Sequence, residues 1–260
     1  MPETPTDHVL ATRDGHVLHL TLSRIEKKNA LTRAMYDALA DALGEAAQEP
    51  ETRVVVLSGR DRVFTAGNDL MDFMAAPPTG PDSPVFRFLT TLVGFPKPLF
   101  VAVDGPAIGI GTTLLLHADL AYATPETRFQ MPFVPLGLVP EAASSLLLPR
   151  LAGHARAAEL LMFGEPFTAD TALEIGLVNE IVDSDAVVTR ALERAHQLAA
   201  LPPAAVRQTK AFLRSPLADA VADTISKEGA AFMERLTSPE AQEAFTAFFE
   251  KRPADFSRFE

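Results

Sequence analysis

Two short segments of small residues and glycine each follow an apolar run that is typical of a buried strand. The first is Val-Phe-Thr-Ala-Gly-Asn-Asp-Leu at residues 63–70, and the second is Asp-Gly-Pro-Ala-Ile-Gly-Ile-Gly at residues 104–111. A glycine brings the backbone close to a ligand because no side chain intervenes. Two backbone N–H groups, one from each segment, could converge on one oxygen and stabilise negative charge on it. This pattern predicts a site that forms an enolate from a thioester.

The second segment is also compatible with two other interpretations. A strand, a glycine-rich loop and a helix form the layout of a dinucleotide site, but the spacing of Gly105, Gly109 and Gly111 does not match G-x-G-x-x-G. The glycines could instead serve only to pack a strand tightly against a helix. We favour a third interpretation, in which unpaired N–H groups at the start of a helix near Gly111 attract a developing anion.

Both segments resemble loops of the crotonase (enoyl-CoA hydratase/isomerase) superfamily, with its patterns AG-x-D-L and G-x-A-x-G-x-G. Residues 28–31 (Lys-Asn-Ala-Leu) and 248–252 (Phe-Phe-Glu-Lys-Arg) resemble two further segments of the superfamily, so the resemblance covers essentially the whole chain. Within the superfamily the likeness is greatest to the peroxisomal-type delta3-delta2-enoyl-CoA isomerases. Residues 67–70, 95–98 and 132–142 carry that likeness.

The carboxylates that the resemblance implies distinguish the reactions of this superfamily. Its hydratases use two glutamates, and at the matching positions this chain has Thr113 and Phe133. Neither side chain can act as a general base near neutral pH. The peroxisomal-type isomerases use one glutamate, which Glu141 in the segment Val-Pro-Glu-Ala-Ala matches. The resemblance therefore implies an isomerase with Glu141 as its base.

The residues around Glu141 favour a carboxyl group with an unusual pKa. A carboxylate among apolar side chains is poorly solvated, so its pKa rises toward neutral pH and helps it to remove a proton from carbon. The alternative is that Glu141 occupies the first turn of a helix at residues 141–150, where acidic residues are common. Both interpretations can hold at once. The apolar neighbours are Phe133, Val134, Leu136, Leu138 and Val139.

The resemblance implies a double-bond shift from a 3-enoyl-CoA to the trans-2-enoyl-CoA. Glu141 would move a proton from C2 to C4 while the N–H groups of Ala66 and Ile110 bind the dienolate oxygen. No metal or redox cofactor is expected, since coenzyme A enters as part of the substrate. Asn68 would orient the site or form a turn, and Asp69 is expected to cap a turn. The alternatives are an enoyl-CoA hydratase, another acyl-CoA reaction of the superfamily, and a non-catalytic acyl-CoA binder.

Basic residues near the N-terminus could hold the nucleotide end of coenzyme A. Arg24, Lys27 and Lys28 form a cluster, for which a solvated run of charge is the common alternative. The resemblance implies that Lys251 and Arg252 reach the coenzyme A of a neighbouring subunit. The predicted substrate-binding residues are Arg24, Lys28, Ala30, Ala66, Gly67, Asn68, Asp69, Leu70, Gly109, Phe133, Phe248 and Lys251.

The composition of the 260 residues excludes several classes of protein. Lys and Arg total 23 and Asp and Glu total 34, and the net charge of −11 disfavours nucleic acid as a partner. The absence of cysteine excludes disulfides and thiolate metal sites, and the six histidines form no metal-binding pattern. Neither end resembles a secretion or peroxisomal signal, and no stretch has the length of a membrane span. We therefore expect a cytoplasmic protein that does not bind a membrane.

The elements that must position the site are those of an α/β protein. Residues 8–23 alternate around Asp14 and Gly15 as a hairpin does, and Thr32 is a suitable N-cap for a helix to about residue 48. An apolar stripe of residues 86–95 lines an acyl pocket or, as is more common, packs in the core. The other predicted elements are strands at 54–57, 99–103, 119–123, 128–131 and 177–182, a loop at 75–84, and helices at 111–117, 185–200, 203–214, 217–235 and 239–251.

The resemblance sharpens this outline to a crotonase-like ββα spiral core with a helical C-terminal region. We place the core, with the coenzyme A and oxyanion sites, at residues 1–200 and the helical region at residues 201–260. In this superfamily the helical region packs trimers, and two trimers often stack. The resemblance therefore implies a homotrimer or a dimer of trimers.

Overall fold

Two β-sheets make up the sheet layer in a computed structural model that describes residues 7–78, 80 and 82–259. The strands of the larger sheet are, in spatial order, β1 (Val9–Asp14), β2 (Val17–Leu22), β3 (Val54–Gly59), β4 (Leu99–Val103), β6 (Leu120–Ala123) and β9 (Glu180–Ile181). Those of the smaller sheet are β5 (Pro106–Ile108), β7 (Arg128–Gln130) and β8 (Phe167–Thr168).

The larger sheet begins with a hairpin and continues as parallel strands. β1 and β2 are antiparallel with Val9 opposite Leu22, and the turn between them holds Gly15 at φ +55°. This confirms the hairpin predicted around Asp14 and Gly15. From β2 to β9 each neighbouring pair of strands is parallel, as expected when helices connect the strands.

Helices cover both faces of the larger sheet. Val54 and Val56 of β3 pack toward Val187 and other residues of one helix, whereas Val55 and Leu57 face the larger core. This alternation follows from the two-residue period of a strand. The helices are α1 (Arg33–Gln48), α2 (Leu70–Ala75), α3 (Pro84–Gly94), α4 (Ile110–Thr113), α5 (Ser144–Ala152), α6 (His154–Met162), α7 (Ala169–Glu174), α8 (Val187–Ala199), α9 (Pro203–Arg214), α10 (Ala218–Leu236) and α11 (Pro239–Glu250).

Most predicted helices are present, with small shifts at their ends. Thr32 caps α1 by accepting a hydrogen bond from the N–H of Met35 at 3.3 Å, and the four predicted C-terminal helices correspond to α8–α11. The helix predicted from Gly111 begins at Ile110 and tightens to a 3₁₀ turn at Leu114–His117. Among the described residues, none of the helices is both long and apolar enough to cross a membrane.

Two predictions of elements are corrected, and a third is confirmed. The helix predicted at 141–150 begins only at Ser144, and the strand predicted at 177–182 is reduced to Glu180–Ile181. The predicted loop at 75–84 is bounded by α2 and α3, and its residues 79 and 81 lie outside the described part of the chain. The later start of this helix matters for function because Glu141 then lies before the helix and not in its first turn.

The parallel strands β3 and β4 bring the two glycine-containing segments to the same edge of the sheet. The N–H of Thr65 donates to the carbonyl of Pro106 at 2.9 Å, and the N–H of Ile108 donates to the carbonyl of Thr65 at 3.1 Å. Segments that are about forty residues apart in the sequence are therefore joined backbone to backbone.

Candidate functional site

Glycine is required where the two segments touch. Gly67 has φ +85°, and a Cβ there would lie 2.8 Å from the carbonyl oxygen of Ile108. A Cβ on Gly111 would lie 2.5 Å from Cγ2 of Thr65. Both glycines therefore permit close packing, as one of the alternative interpretations expected. This packing also brings the N–H groups of the two segments to one cleft.

The first segment offers one free N–H group to the cleft. Leu31 pairs with the segment in parallel fashion: its N–H donates to the carbonyl of Gly67, and its carbonyl accepts from the N–H of Asp69. In a parallel pairing the residue between Gly67 and Asp69 points its own N–H away from Leu31. That residue is Asn68, and among the described residues no partner of its N–H is found.

The structure corrects the predicted donor Ala66. Its N–H donates to the carbonyl of Lys28 at 2.9 Å and is not available to a ligand. The N–H of Gly67 is also occupied, because it donates to the hydroxyl of Thr65 at 3.0 Å. Ala66 and Gly67 still line the cleft, but the N–H that the geometry leaves for an oxygen belongs to Asn68.

The second segment offers the N–H of Ile110 at the first position of α4. The N–H of Gly109 donates to Gln130, and those of Thr112 and Thr113 donate back to the carbonyl of Gly109. The N–H of Gly111 has no partner among the described residues, but Gly111 does not line the cleft. Within the described residues the N–H of Ile110 has no partner, as expected for the first turn of a helix. The structure thus places the predicted donor Ile110 at the cleft.

Glu141 is a buried carboxylate held by α4. Glu141 is 7% exposed, and its Oε1 accepts a hydrogen bond of 3.0 Å from the hydroxyl of Thr113. Burial raises the pKa of Glu141 to about 7, with a further increase from the charge of Glu228 and a decrease from the Thr113 hydrogen bond. Because Thr113 lies three residues after Ile110, roughly 4.5 Å along a helix, the carboxylate and one N–H donor are held by the same turn.

The backbone after Glu141 turns away from the helix. Ala142 and Ala143 have φ +57° and +55°, the left-handed region, which L-residues other than glycine disfavour. The carboxyl group of Glu141 therefore does not cap the first turn of α5, and its bonded partner is Thr113. The helix-start interpretation of Glu141 is not supported by this geometry.

The side chain of Asn68 is fixed by a buried phenol. The hydroxyl of Tyr36 on α1 donates to Oδ1 of Asn68. Burial, and next the charge of Glu141, raises the pKa of Tyr36 above its ordinary value, so the phenol stays protonated and can donate. Tyr36 was not among the predicted site residues, since on sequence it is one apolar-face position of α1.

Two neighbouring spaces lie next to these groups. The outer cleft has a volume of about 590 Å³, and the inner pocket next to Glu141 has about 20 Å³. Asn68, Phe73 and Phe232 line both. The outer cleft is also lined by the predicted residues Ala30, Ala66, Gly67, Asp69, Leu70, Gly109, Phe133 and Phe248, and by Lys27. The inner pocket is also lined by Val85, Phe86, Leu89, Ile225 and Gly229.

The predicted basic residues divide into free and engaged groups. Arg24 is engaged: its guanidinium donates to the carboxylate of Asp69 at 2.7 Å and to the carbonyl of Ala30 at 2.9 Å. It therefore supports the loop, a role that its prediction as a phosphate ligand did not include. Lys28 and Lys251 are exposed and lie outside the lining of the cleft.

Two further contacts explain why nearby charges are not free. Asp69 caps α2 by accepting from the N–H groups of Met71 and Asp72, as predicted. Arg252, predicted beside Lys251, donates instead to Glu243 at 2.6 Å. The free cation that lines the described part of the cleft is Lys27.

A second carboxylate suitable for catalysis is not found among the described residues that line the two spaces. Asp69 is occupied by Arg24 and by the cap of α2. The positions that matched the glutamates of hydratases hold Thr113, which supports Glu141, and Phe133, which lines the cleft. The described residues also contain no group of three side chains suitable for a metal ion.

Comparison with known proteins finds enoyl-CoA hydratases and isomerases as relatives. Residues 12–258 match the family described as enoyl-CoA hydratase/isomerase. Enoyl-CoA delta isomerase 2 of Rattus norvegicus is 35% identical over 251 residues, 94% of this chain but 64% of that protein, so the chain spans less than two thirds of this relative. The 2,3-dehydroadipyl-CoA hydratase of Escherichia coli strain K12 is 32% identical over 251 residues, 95% of this chain and 98% of that protein. A crystal structure of an enoyl-CoA hydratase/isomerase from Pseudoalteromonas atlantica T6c has a TM-score of 0.93 at 42% identity, covering 96% of this chain and 100% of that chain.

Proposed function

The chain belongs to the enoyl-CoA hydratase/isomerase family, and we propose that within it the chain is an isomerase that converts a 3-enoyl-CoA to the trans-2-enoyl-CoA. It has the crotonase fold of the family's solved structures. Since its relatives include an isomerase and a hydratase, the proposal depends on the residues of the site. The observation that carries it is Glu141, a buried carboxylate without a catalytic partner carboxylate among the described lining residues.

The proposed reaction is a 1,3-proton transfer. The carboxylate of Glu141 takes a proton from C2, and the electron pair of that C–H bond moves into the thioester to form a dienolate. The resulting carboxylic acid then gives the proton to C4, and the double bond comes to lie between C2 and C3. One base suffices for both steps, and its pKa of about 7 suits both removal and return of the proton.

The dienolate oxygen is proposed to accept hydrogen bonds from the N–H groups of Asn68 and Ile110. Both are unpaired among the described residues and line the outer cleft. Donors that are fixed before the reaction stabilise a developing oxyanion without reorganisation. The bond from Tyr36 to the side chain of Asn68 helps to fix the first of these donors.

Hydration is less well supported than isomerisation. Addition of water requires a base for the water and an acid for C2, as two glutamates supply in hydratases. Here Thr113 and Phe133 occupy those positions, and Asp69 is held by Arg24. A hydratase would have to use Glu141 alone.

Coenzyme A is proposed to enter through the outer cleft, with its phosphates near Lys27 and Lys28. No metal or redox cofactor is needed for the proposed reaction. A homotrimer or a dimer of trimers is proposed as the assembly from the family resemblance. The exposure of Phe212 by 67% and Leu213 by 77% on α9 supports a contact surface there. A cytoplasmic location without nucleic-acid or membrane partners is retained as a proposal from the sequence.

The proposed function is tested by mixing the purified protein with 3-hexenoyl-CoA. An ultraviolet rise from the conjugated enoyl thioester supports the proposal. A protein that gives no rise with any chain length, but consumes trans-2-hexenoyl-CoA by hydration, is a hydratase. A protein that binds these thioesters and converts neither contradicts catalysis on enoyl-CoA.

The pH dependence of the reaction follows from Glu141. We expect kcat/KM to increase with pH and to reach half of its plateau at about pH 7, because the carboxyl group must lose its proton before it can act as the base. Initial rates with 3-hexenoyl-CoA as a function of pH measure this. A midpoint near the ordinary value of 4.5 would mean that a solvated carboxylate is the base.

Phe86 is expected to limit the length of the acyl chain. Its ring packs against the backbone of α10 at Gly229, where an added Cβ would lie 2.5 Å from the ring. Phe86 also lines the pocket of about 20 Å³ next to Glu141. Phe86→Ala should raise the ratio of kcat/KM for 3-decenoyl-CoA over 3-hexenoyl-CoA by about tenfold, because added space accepts added methylenes.

The matched control is Phe163→Ala, since Phe163 is 67% exposed and lines neither space. This control should leave the ratio of the two substrates unchanged. An unchanged ratio in Phe86→Ala would show that the chain extends elsewhere.

A further inference from the structure

The turn that carries Glu141 is held from outside by two buried side chains. Ala142 and Ala143 lie in the left-handed region, so this turn does not persist through its own backbone preference. On one side His117 approaches, and its Nε2 lies 2.7 Å from the carbonyl oxygen of Ala142. On the other side lies the carboxylate of Glu228 from α10.

Glu228 makes three hydrogen bonds to this turn. Its Oε2 accepts from the N–H of Ala143 at 2.6 Å, and its Oε1 accepts from the N–H of Ser145 at 3.0 Å and from the Ser145 hydroxyl at 2.5 Å. The residue is 9% exposed. A buried carboxylate with three donors occupies the place of a helix cap at the start of α5, and it comes from a helix distant in sequence.

We propose that Glu228 is a positioning residue, which holds the turn that aims Glu141 at the substrate. The inference depends on the proposed role of Glu141 as the base. The positioning role follows from the three hydrogen bonds, which fix Ala143 before α5 and Ser145 in the first turn of α5.

The negative charge of Glu228 also opposes the ionisation of Glu141. The groups around these two carboxyl groups determine the sign of this electrostatic effect. Glu141 faces Thr113 of α4, the protonated phenol of Tyr36 on α1, and Glu228 of α10. His117 beyond Ala142 is uncharged near neutral pH, because burial lowers its pKa to about 4. Burial raises the pKa of Glu228 itself, while its hydrogen bonds from Ser145 and Ala143 favour its ionised form. Glu228 is the group whose charge acts on Glu141 within the described residues, so removal of this charge should lower the pKa of Glu141.

Glu228→Gln and Glu228→Asp separate the two effects. Glutamine removes the charge and keeps the length, so kcat should fall by about tenfold or more from misplacement of the base, and the midpoint of kcat/KM against pH should move to lower pH. Aspartate keeps the charge and shortens the reach, so kcat should fall with little movement of the midpoint. Glu234→Gln, an exposed glutamate on the same helix, is the matched control and should change neither.

A direct titration makes the test independent of the reaction. Infrared difference spectroscopy follows the carboxyl band that Glu141→Gln removes, in the wild type and in Glu228→Gln. A lower apparent pKa of that band in Glu228→Gln supports the inference even if the enzyme catalyses another reaction. An unchanged band in Glu228→Gln, or an unchanged kcat in Glu228→Asp with a full wild-type isomerase rate, overturns it. If Glu228→Gln does not fold, the kcat of Glu228→Asp alone decides the positioning role.

Discussion

Glu141→Gln is expected to lower kcat for isomerisation of 3-hexenoyl-CoA by about 10²–10⁴-fold, the range for loss of a positioned general base. Glutamine has nearly the same shape and can keep the hydrogen bond from Thr113, but it cannot take a proton from C2. Because the same carboxyl group performs both proton transfers in the proposed reaction, the loss should lie in kcat and leave KM nearly unchanged. The measurement is the ultraviolet rise of the conjugated product.

Stability gives an internal control for this variant. The pKa of Glu141 is raised to about 7 by burial, so folding stabilises its protonated form, and this stabilisation is lost as pH rises from about 4.5 through about 7. Glutamine does not ionise, so at pH 8 the variant should unfold at a temperature no lower than that of the wild type. Loss of activity with such a thermal profile identifies a chemical role.

Two results would contradict the role of Glu141. An active Glu141→Gln protein would mean that another group removes the proton, and Asp69 would be the first carboxylate to test because it lines the outer cleft next to the pocket of Glu141. Loss of binding of a CoA thioester together with loss of turnover would mean that Glu141 only supports the fold of the site. The expected result is intact binding without turnover.

Local signals in the sequence explain which parts of the fold were predictable. The hairpin at Asp14 and Gly15 and the cap at Thr32 depend on residues close in sequence, and both predictions are confirmed. The C-terminal helices were predictable from their apolar spacing for the same reason. The smaller sheet was not recognised as a sheet, because β8 consists of only Phe167 and Thr168 and pairs with a distant strand.

The site shows where local patterns fail. The predicted donor Ala66 differs from the free donor Asn68 by two positions, because the pairing of Leu31 with the loop decides which N–H groups are occupied. Arg24 donates to Asp69, a partner 45 residues away, which its sequence neighbours did not indicate. Such long-range pairings leave no periodic signal in the sequence.

The environment of Glu141 was predictable only in part. Apolar neighbours indicated burial and a raised pKa, and burial with a pKa of about 7 confirms this. The support from Glu228 was not predictable, since that residue lies 85 positions from its partner Ala143. The left-handed turn at Ala142 was also not predictable, because alanine favours a right-handed helix in this context.

Ile110→Pro is expected to lower kcat by about 10²–10³-fold, the effect of removing one oxyanion donor. Proline has no N–H, so this substitution deletes the proposed backbone donor. The first position of a helix tolerates proline, since its N–H is unpaired there in any case. Proline also restricts the preceding residue to non-helical backbone. Gly109 precedes it with φ +57° and ψ −117°, which is outside the right-handed helical region.

The comparison with Ile110→Ala isolates the effect of the N–H group. Ile110 is 1% exposed, so both variants lose a buried side chain and both should be destabilised. Only the proline variant also loses the donor to the dienolate oxygen. Its kcat should therefore lie about 10²–10³-fold below that of Ile110→Ala, with similar affinity for a saturated acyl-CoA. Equal kcat values in the two folded variants would exclude Ile110 as an oxyanion donor and leave Asn68 to act alone.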